Sequence, residues 1–233
     1  MPKATLGLAF VLFITGCSLF KQPIIPTADP LDVFQGQVQQ FDASLSLEND
    51  LQNLFANKNS APVGTYVYPM PDYSTLRTKK MFGQYVASDS GDSFSGYHTG
   101  DDIEVTDVTA EVPFFSLADA TVLKKEIVSG YGGVIILEFV DGLTVYHALY
   151  GHVDLNSITM VVGDKVTAGE QLGMLGDDGS SEADGERKHL HFAIYPFVGT
   201  VLYAGYTDSD VDLNQWVNPA DFLRAAKATQ PAV

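Results

Sequence analysis

Apolar residues change their spacing along this chain, and each change predicts a different kind of structure. Leu6 to Ile14 is a short apolar run that follows Lys3 and closes on Thr15-Gly16-Cys17. A charged start, an apolar middle and a small-residue end predict a secretory signal over residues 1–16. The run falls short of the ~20 apolar residues that a permanent membrane helix needs. Residues 17–30 carry Pro23, Pro26 and Pro30 without periodicity and read as a tether. Phe34, Val38, Phe41 and Leu45 then fall at helical spacing, and Leu47, Leu51, Leu54 and Phe55 continue the stripe, so residues 31–57 are expected to form an amphipathic helical segment. Such a face suits packing on the main domain or on an envelope protein partner. Pro62, Gly64, Pro69 and Pro71 mark residues 58–74 as a linker.

Beyond residue 75 the pattern shortens to strands. Val134 to Phe139 has the β-branched and apolar composition of a buried strand, and Asp141-Gly142 supplies a tight turn before Leu143 to Tyr146, which predicts a hairpin. Val162 to Glu170 reads as turn, short strand and turn, and Gln171 to Leu175 as another short strand. Near the end, Asn218 can cap, Pro219 suits the first helical position and Asp221 the first turn of a short C-terminal helix through Ala226. Residues 75–226 are thus expected to be an all-β core, a sandwich or barrel, and residues 227–233 a tail.

Composition narrows the chemistry. Thirteen Lys and Arg against 29 Asp and Glu give a net charge of −16, the wrong sign for a nucleic-acid partner, whose phosphates call for a basic face. A single cysteine excludes a disulfide framework and a cysteine-based zinc cluster.

Of the five histidines, four fall in three short motifs. In His98-Thr99-Gly100-Asp101-Asp102 the outer residues would lie about 13 Å apart on a straight strand. Two ligands of one zinc must each bring a donor to about 2.0–2.2 Å from it. Gly100 offers the bend, through a positive φ that a Cβ would forbid. In His189-Leu190-His191-Phe192 the two imidazoles share one face of a strand, and Leu190 and Phe192 face a core. His152 follows Tyr150 and Gly151, and strand parity places it on the face of Tyr150. His147, five residues earlier, falls on the opposite face and is expected to be structural or at the surface.

His98-x-x-x-Asp102, Tyr150-x-His152 and His189-x-His191, in this order, resemble the M23 zinc metallopeptidases, the LytM or lysostaphin-type peptidoglycan endopeptidases. Gly130 to Ile136, Val162 to Gly173 and Trp216 to Leu223 resemble further stretches of that family, so the resemblance covers roughly residues 80–225. It implies a LytM-like antiparallel β-sandwich or barrel-sandwich hybrid. It implies that His98, Asp102 and His191 bind Zn²⁺, with His152 and His189 as catalytic histidines beside the metal water. No HExxH motif supplies a helical glutamate base, and the sequence leaves the division of labour between His152 and His189 open. The segment Asp177 to Lys188 departs from the family's compact Gly/Ser/Thr turn ending in Gly-Pro; it is long and acidic, and Lys188 stands directly before His189. It is expected to border the cleft, either shaping substrate preference or as a solvated insertion. Ile14-Thr15-Gly16-Cys17 resembles the bacterial lipobox, which implies acylation of Cys17, and Ser18 resembles the outer-membrane sorting pattern.

The resulting expectation is a lipid-anchored zinc endopeptidase that faces the periplasm from the outer membrane and cuts peptide cross-links of peptidoglycan. Its rival is a catalytically silent relative that binds and activates a cell-wall amidase. A biotin- or lipoyl-type carrier would need a lysine at a hairpin tip; Lys165 sits in turn sequence without the expected apolar companions.

Overall fold

The computed structural model describes residues 62–90, 94–197 and 201–232. The expected signal, tether and amphipathic segment of residues 1–57, with Cys17, lie outside the described residues. Among the described residues the strands are β1 (Thr78–Lys80), β2 (Tyr85–Val86), β3 (Gly96–His98), β4 (Asp101–Glu104), β5 (Pro113–Phe115), β6 (Ala120–Val128), β7 (Gly132–Asp141), β8 (Thr144–Gly151), β9 (Val153–Asp154), β10 (Lys165–Val166), β11 (Gln171–Leu175), β12 (His189–Pro196) and β13 (Tyr206–Thr207). A 3₁₀ turn at Asp212–Gln215 and the helix α1 (Pro219–Ala225) follow. Antiparallel pairing builds a seven-stranded sheet in the order β1-β4-β12-β8-β7-β6-β10 and two small sheets, β5-β11-β9 and β13-β3-β2. The fold is all-β with a short C-terminal helix.

Central strands are buried on both faces, which explains their near-continuous apolar sequence. Ile135, Leu137 and Phe139 of β7, Tyr146, Ala148 and Tyr150 of β8, and Leu190, Phe192 and Ile194 of β12 enter one core with Phe114, Leu172 and Phe222. The intervening Val134, Ile136, Leu149, Ala193 and Tyr195 enter a second with Trp216. Each buried Val, Leu, Ile or Phe among them stabilises the fold by about 1.5–3 kcal/mol relative to exposure. The period-two alternation of β12 therefore does what its sequence predicts. Leu190 and Phe192 are fully buried on the core face, and His189 and His191 share the other.

The hairpin between β7 and β8 forms with a shifted turn. Asp141 pairs with Thr144, so the two-residue loop is Gly142-Leu143, with Gly142 at φ 58°, instead of Asp141-Gly142. The Asp141 carboxylate accepts the backbone N–H groups of Val63 and Gly64 at 2.8 and 3.2 Å. Part of the stretch read as a linker thereby joins the body: Tyr66, Val67, Met70 and Tyr73 are buried, and Val67 bridges Thr229 in the stretch read as a tail. Helix α1 starts as its sequence dictates, with Asn218 Oδ1 accepting the Asp221 N–H at 3.1 Å and Pro219 at the first position.

Candidate active site

Sheet register assembles the first three residues. On β4 and β12, Asp102 stands opposite His191; on the other side of β12, His191 stands opposite Gly151 of β8. One row across the sheet thus carries a carboxylate, an imidazole and a glycine. A Cβ on Gly151 would lie 2.6 Å from the Tyr131 ring, so the missing side chain makes room there. His98 ends β3, and the turn at Thr99-Gly100 returns the chain into β4. Gly100 does not take the positive φ expected of it. Its role is close approach, because a Cβ there would lie 2.5 Å from the Phe192 carbonyl oxygen and 2.8 Å from His191 Nε2.

Three donor atoms meet as a result. His98 Nε2 lies 3.2 Å from His191 Nδ1 and 3.3 Å from Asp102 Oδ1, and His191 Nδ1 lies 3.0 Å from Asp102 Oδ1. All three residues are buried. A tetrahedral ion with bonds of about 2.0–2.1 Å spaces its donors by about 3.3–3.4 Å, so the triangle fits zinc in edge length and in its His-Asp-His chemistry. Three protein donors leave a fourth position for water, the arrangement of catalytic zinc sites. Tyr131 Oη lies 3.4 Å from His191 Nε2. A hydroxyl donates or accepts, so it can partner that nitrogen in either tautomer while Nδ1 faces the triangle.

The electrostatics suit a cation. Burial opposes a charge on Asp102, but the surrounding imidazoles of His189, His191 and His98 outweigh it and hold the carboxyl well below the usual range. Desolvation pushes the His191 imidazole down to about 4, against the Asp102 hydrogen bond. The site therefore presents a carboxylate and a neutral imidazole near neutral pH, the protonation states that metal ligation requires.

His152 and His189 lie beside the triangle, ring centroids 4.2 Å apart. His152 arrives by a backbone conformation that parity could not foresee: it sits at φ 62°, just past the end of β8. This turns its ring away from the core that holds Tyr150 and toward His189, correcting the expected shared face with Tyr150. His147 does lie on the sheet face of His189 and His191, yet far along it. It pairs with Tyr195, packs on Tyr195 and Phe197, and its Nε2 lies 3.3 Å from Glu138 Oε2. Its structural role stands.

Backbone carbonyls fix both tautomers. His152 Nδ1 donates to the Ala183 oxygen at 3.1 Å and His189 Nδ1 to the Arg187 oxygen at 2.7 Å, since a carbonyl can only accept. Each Nε2 is left with its lone pair, and that of His189 lies 3.6 Å from Asp102 Oδ2. Desolvation, then the neighbouring His189 and His191, push His152 down to about 2.

Residues 177–188 are more than a solvated insertion. Ala183 holds His152, and Glu182 accepts the Gly133 N–H at 2.9 Å. The buried Lys188 Nζ donates to the Ala110 oxygen at 2.9 Å and to Asp177 Oδ1 at 3.0 Å. Glu186 and Arg187 line a cavity of about 310 Å³ with Lys80, Phe94, Tyr131 and Tyr206, and all five motif residues open onto it. The histidine pattern singles out neither Tyr131 nor Arg187. Tyr131 lies in the glycine-led stretch before β7, and the one sign of Arg187 is a cation inside an acidic run.

The model of peptidase family M23 matches residues 96–204. No curated protein matches this chain. Among solved structures, LytU is 24% identical, with 64% of this chain and 90% of that chain covered and a TM-score of 0.41. A zinc-containing peptidase from Vibrio cholerae is 20% identical, with 73% and 41% covered and a TM-score of 0.46, so this chain spans less than half of its length. A chain of the SpoIIQ–SpoIIIAH pore-forming complex is 20% identical, with 68% and 90% covered and a TM-score of 0.47. The matched span contains the donor triangle and both flanking imidazoles, and residues 96–204 are thus similar to a domain of peptidase family M23.

Proposed function

We propose that this protein is a zinc-dependent endopeptidase that hydrolyses peptide cross-links of bacterial peptidoglycan. The observation that carries the reading is the triangle of His98 Nε2, Asp102 Oδ1 and His191 Nδ1, with two acceptor imidazole nitrogens beside it. Bound zinc supplies polarisation of the scissile carbonyl and a water pKa lowered toward about 7. His98, Asp102 and His191 hold the ion. His189 is the general base: its Nε2 lone pair, 3.6 Å from Asp102 Oδ2, takes the attacking water's proton. The same proton then goes to the leaving amine. His152, held neutral by burial, is too weak a base for that step and acts as a hydrogen-bond acceptor that orients water or a substrate N–H.

Acylation at Cys17 would anchor the chain, each buried methylene adding about 0.8 kcal/mol of membrane affinity. The domain would then face the periplasm from the outer membrane, with residues 31–57 available to an envelope protein partner. A chelator series on purified chain and isolated peptidoglycan tests the reading. Fragment release that EDTA abolishes and zinc restores supports it. Release of nothing, with a cell-wall amidase made faster instead, would show the silent activator.

A further inference from the structure

Asp102 uses its two oxygens differently. Oδ1 faces the nitrogens of His98 and His191, whereas Oδ2 lies 3.2 Å from Nη2 of Arg187. That guanidinium is anchored elsewhere. Its Nε donates to both carboxylate oxygens of Glu104, at 2.8 and 3.0 Å, and Nη2 lies 2.7 Å from Glu104 Oε1. Nη1 lies 3.4 Å from Glu186 Oε2. Asp102 and Glu104 are two apart on β4 and project to one face, and they stand opposite His191 and His189 on β12. A single planar fork thus spans two carboxylates of one strand, which the point charge of a lysine cannot do. The Arg187 side chain is 20% exposed and the Asp102 side chain 5%, so this contact is largely shielded from water.

We propose that Arg187 is a positioning residue of the metal centre: anchored on Glu104, it occupies Oδ2 of Asp102 and reserves Oδ1 as the single carboxylate donor. The inference rests on the metal reading above and assigns a role to a residue outside the ligand set. Without the clamp the Asp102 carboxylate can rotate, and the donor triangle is no longer set before the ion arrives. Residues that orient metal ligands typically contribute about 10–100-fold to metal affinity.

Zinc affinity of the full chain, measured by competition with a chromophoric chelator, tests the clamp without any activity assay, and cobalt-substituted protein adds a visible spectrum sensitive to coordination number. Arg187→Met is expected to bind zinc about 10–100-fold more weakly and to change the cobalt bands. Glu104→Gln is expected to weaken binding less, and the double variant no more than Arg187→Met, because both act on one contact. Arg187→Lys keeps the charge but cannot reach both carboxylates. It gives the same spectral change even if Arg187→Met folds poorly. Wild-type affinity and spectrum in Arg187→Met, or in Arg187→Lys where only that variant folds, overturn the clamp and leave the metal reading intact. Absence of stoichiometric zinc from the wild type overturns both.

Discussion

His191 and Asp102 stand directly opposite each other on antiparallel strands, and Nδ1 of the one lies 3.0 Å from Oδ1 of the other. Nothing in the turn-by-turn chemistry of either segment brings them together; the register of β12 on β4 does. The same register sets Gly151 on the far side of His191, which places His152 at the next position of the chain. A slip of one residue in β12 would move both imidazoles to the core face. The donor triangle and the hydrophobic alternation of Leu190 and Phe192 are therefore one structural fact.

Loss of a donor should abolish metal binding while sparing the fold. Asp102→Asn keeps the shape of the side chain but removes the charge, and zinc affinity is expected to fall by more than about 100-fold, beyond the loss typical of a supporting residue. Equilibrium dialysis of the variant checks this, and an affinity within threefold of wild type would count against Asp102 as a donor.

Replacement of the flanking imidazoles should separate chemistry from metal. His189→Ala is expected to keep zinc and to lose about 10²–10⁴-fold in turnover, the usual worth of a positioned base. His152→Ala should also keep zinc and lose less. Zinc content and peptidoglycan turnover, measured on the same preparations, decide it; a larger loss for His152→Ala would reverse the assignment of the base.

Metal-free protein should weaken in acid. The folded values are about 4 for His191 and about 2 for His152, against about 6.5 for unfolded histidine. Above the unfolded value neither state binds these protons, and stability is unaffected. As pH falls below it, the unfolded chain takes protons that the fold refuses, so stability drops by about 1.4 kcal/mol per pH unit for each histidine. Below about 4 the His191 share levels off, because the folded state then takes that proton too. Urea titrations of the metal-stripped chain between pH 7.5 and 4.5 should show this slope, reduced by about one proton in His152→Gln; a flat profile from pH 6.5 to 5 would contradict it.

Lys188 should matter for His152 more than for the metal. Its ammonium ties the Ala110 carbonyl and Asp177 across the base of the loop that presents Ala183. Lys188→Met is expected to destabilise the fold by about 1.5–3 kcal/mol, the worth of a charged hydrogen bond, and to lower turnover with zinc affinity unchanged. Thermal melts and zinc titration of this variant check the separation.

Much of this site is legible in one sequence because it depends on short-range geometry. Parity alone places His189 and His191 on one face, and Asn218 and Pro219 mark a helix start by local hydrogen bonding. Strand periodicity fails where the backbone leaves the strand. His152 at φ 62° reverses the side predicted for it, and no residue type in Tyr150-Gly151-His152 announces that reversal. Gly100 was legible as necessary, but for the wrong reason, since the approach of the Phe192 carbonyl is a long-range contact. Arg187 was hidden for a similar cause: its partners Asp102 and Glu104 lie about eighty residues away, with separations of 85 and 83 positions. Tyr66 and Met70 sit among prolines and glycine in a stretch with the composition of a linker, and only the packed body shows them as core.

X-ray absorption at the zinc edge of the purified full chain, with metal content measured in parallel, tests the donor triangle most directly. One zinc per chain in a shell of nitrogen and oxygen only, with two imidazoles per ion and loss of the signal in His98→Ala and His191→Ala, is the expected result. A chain that holds no zinc, or holds it undiminished in both variants, would contradict the site.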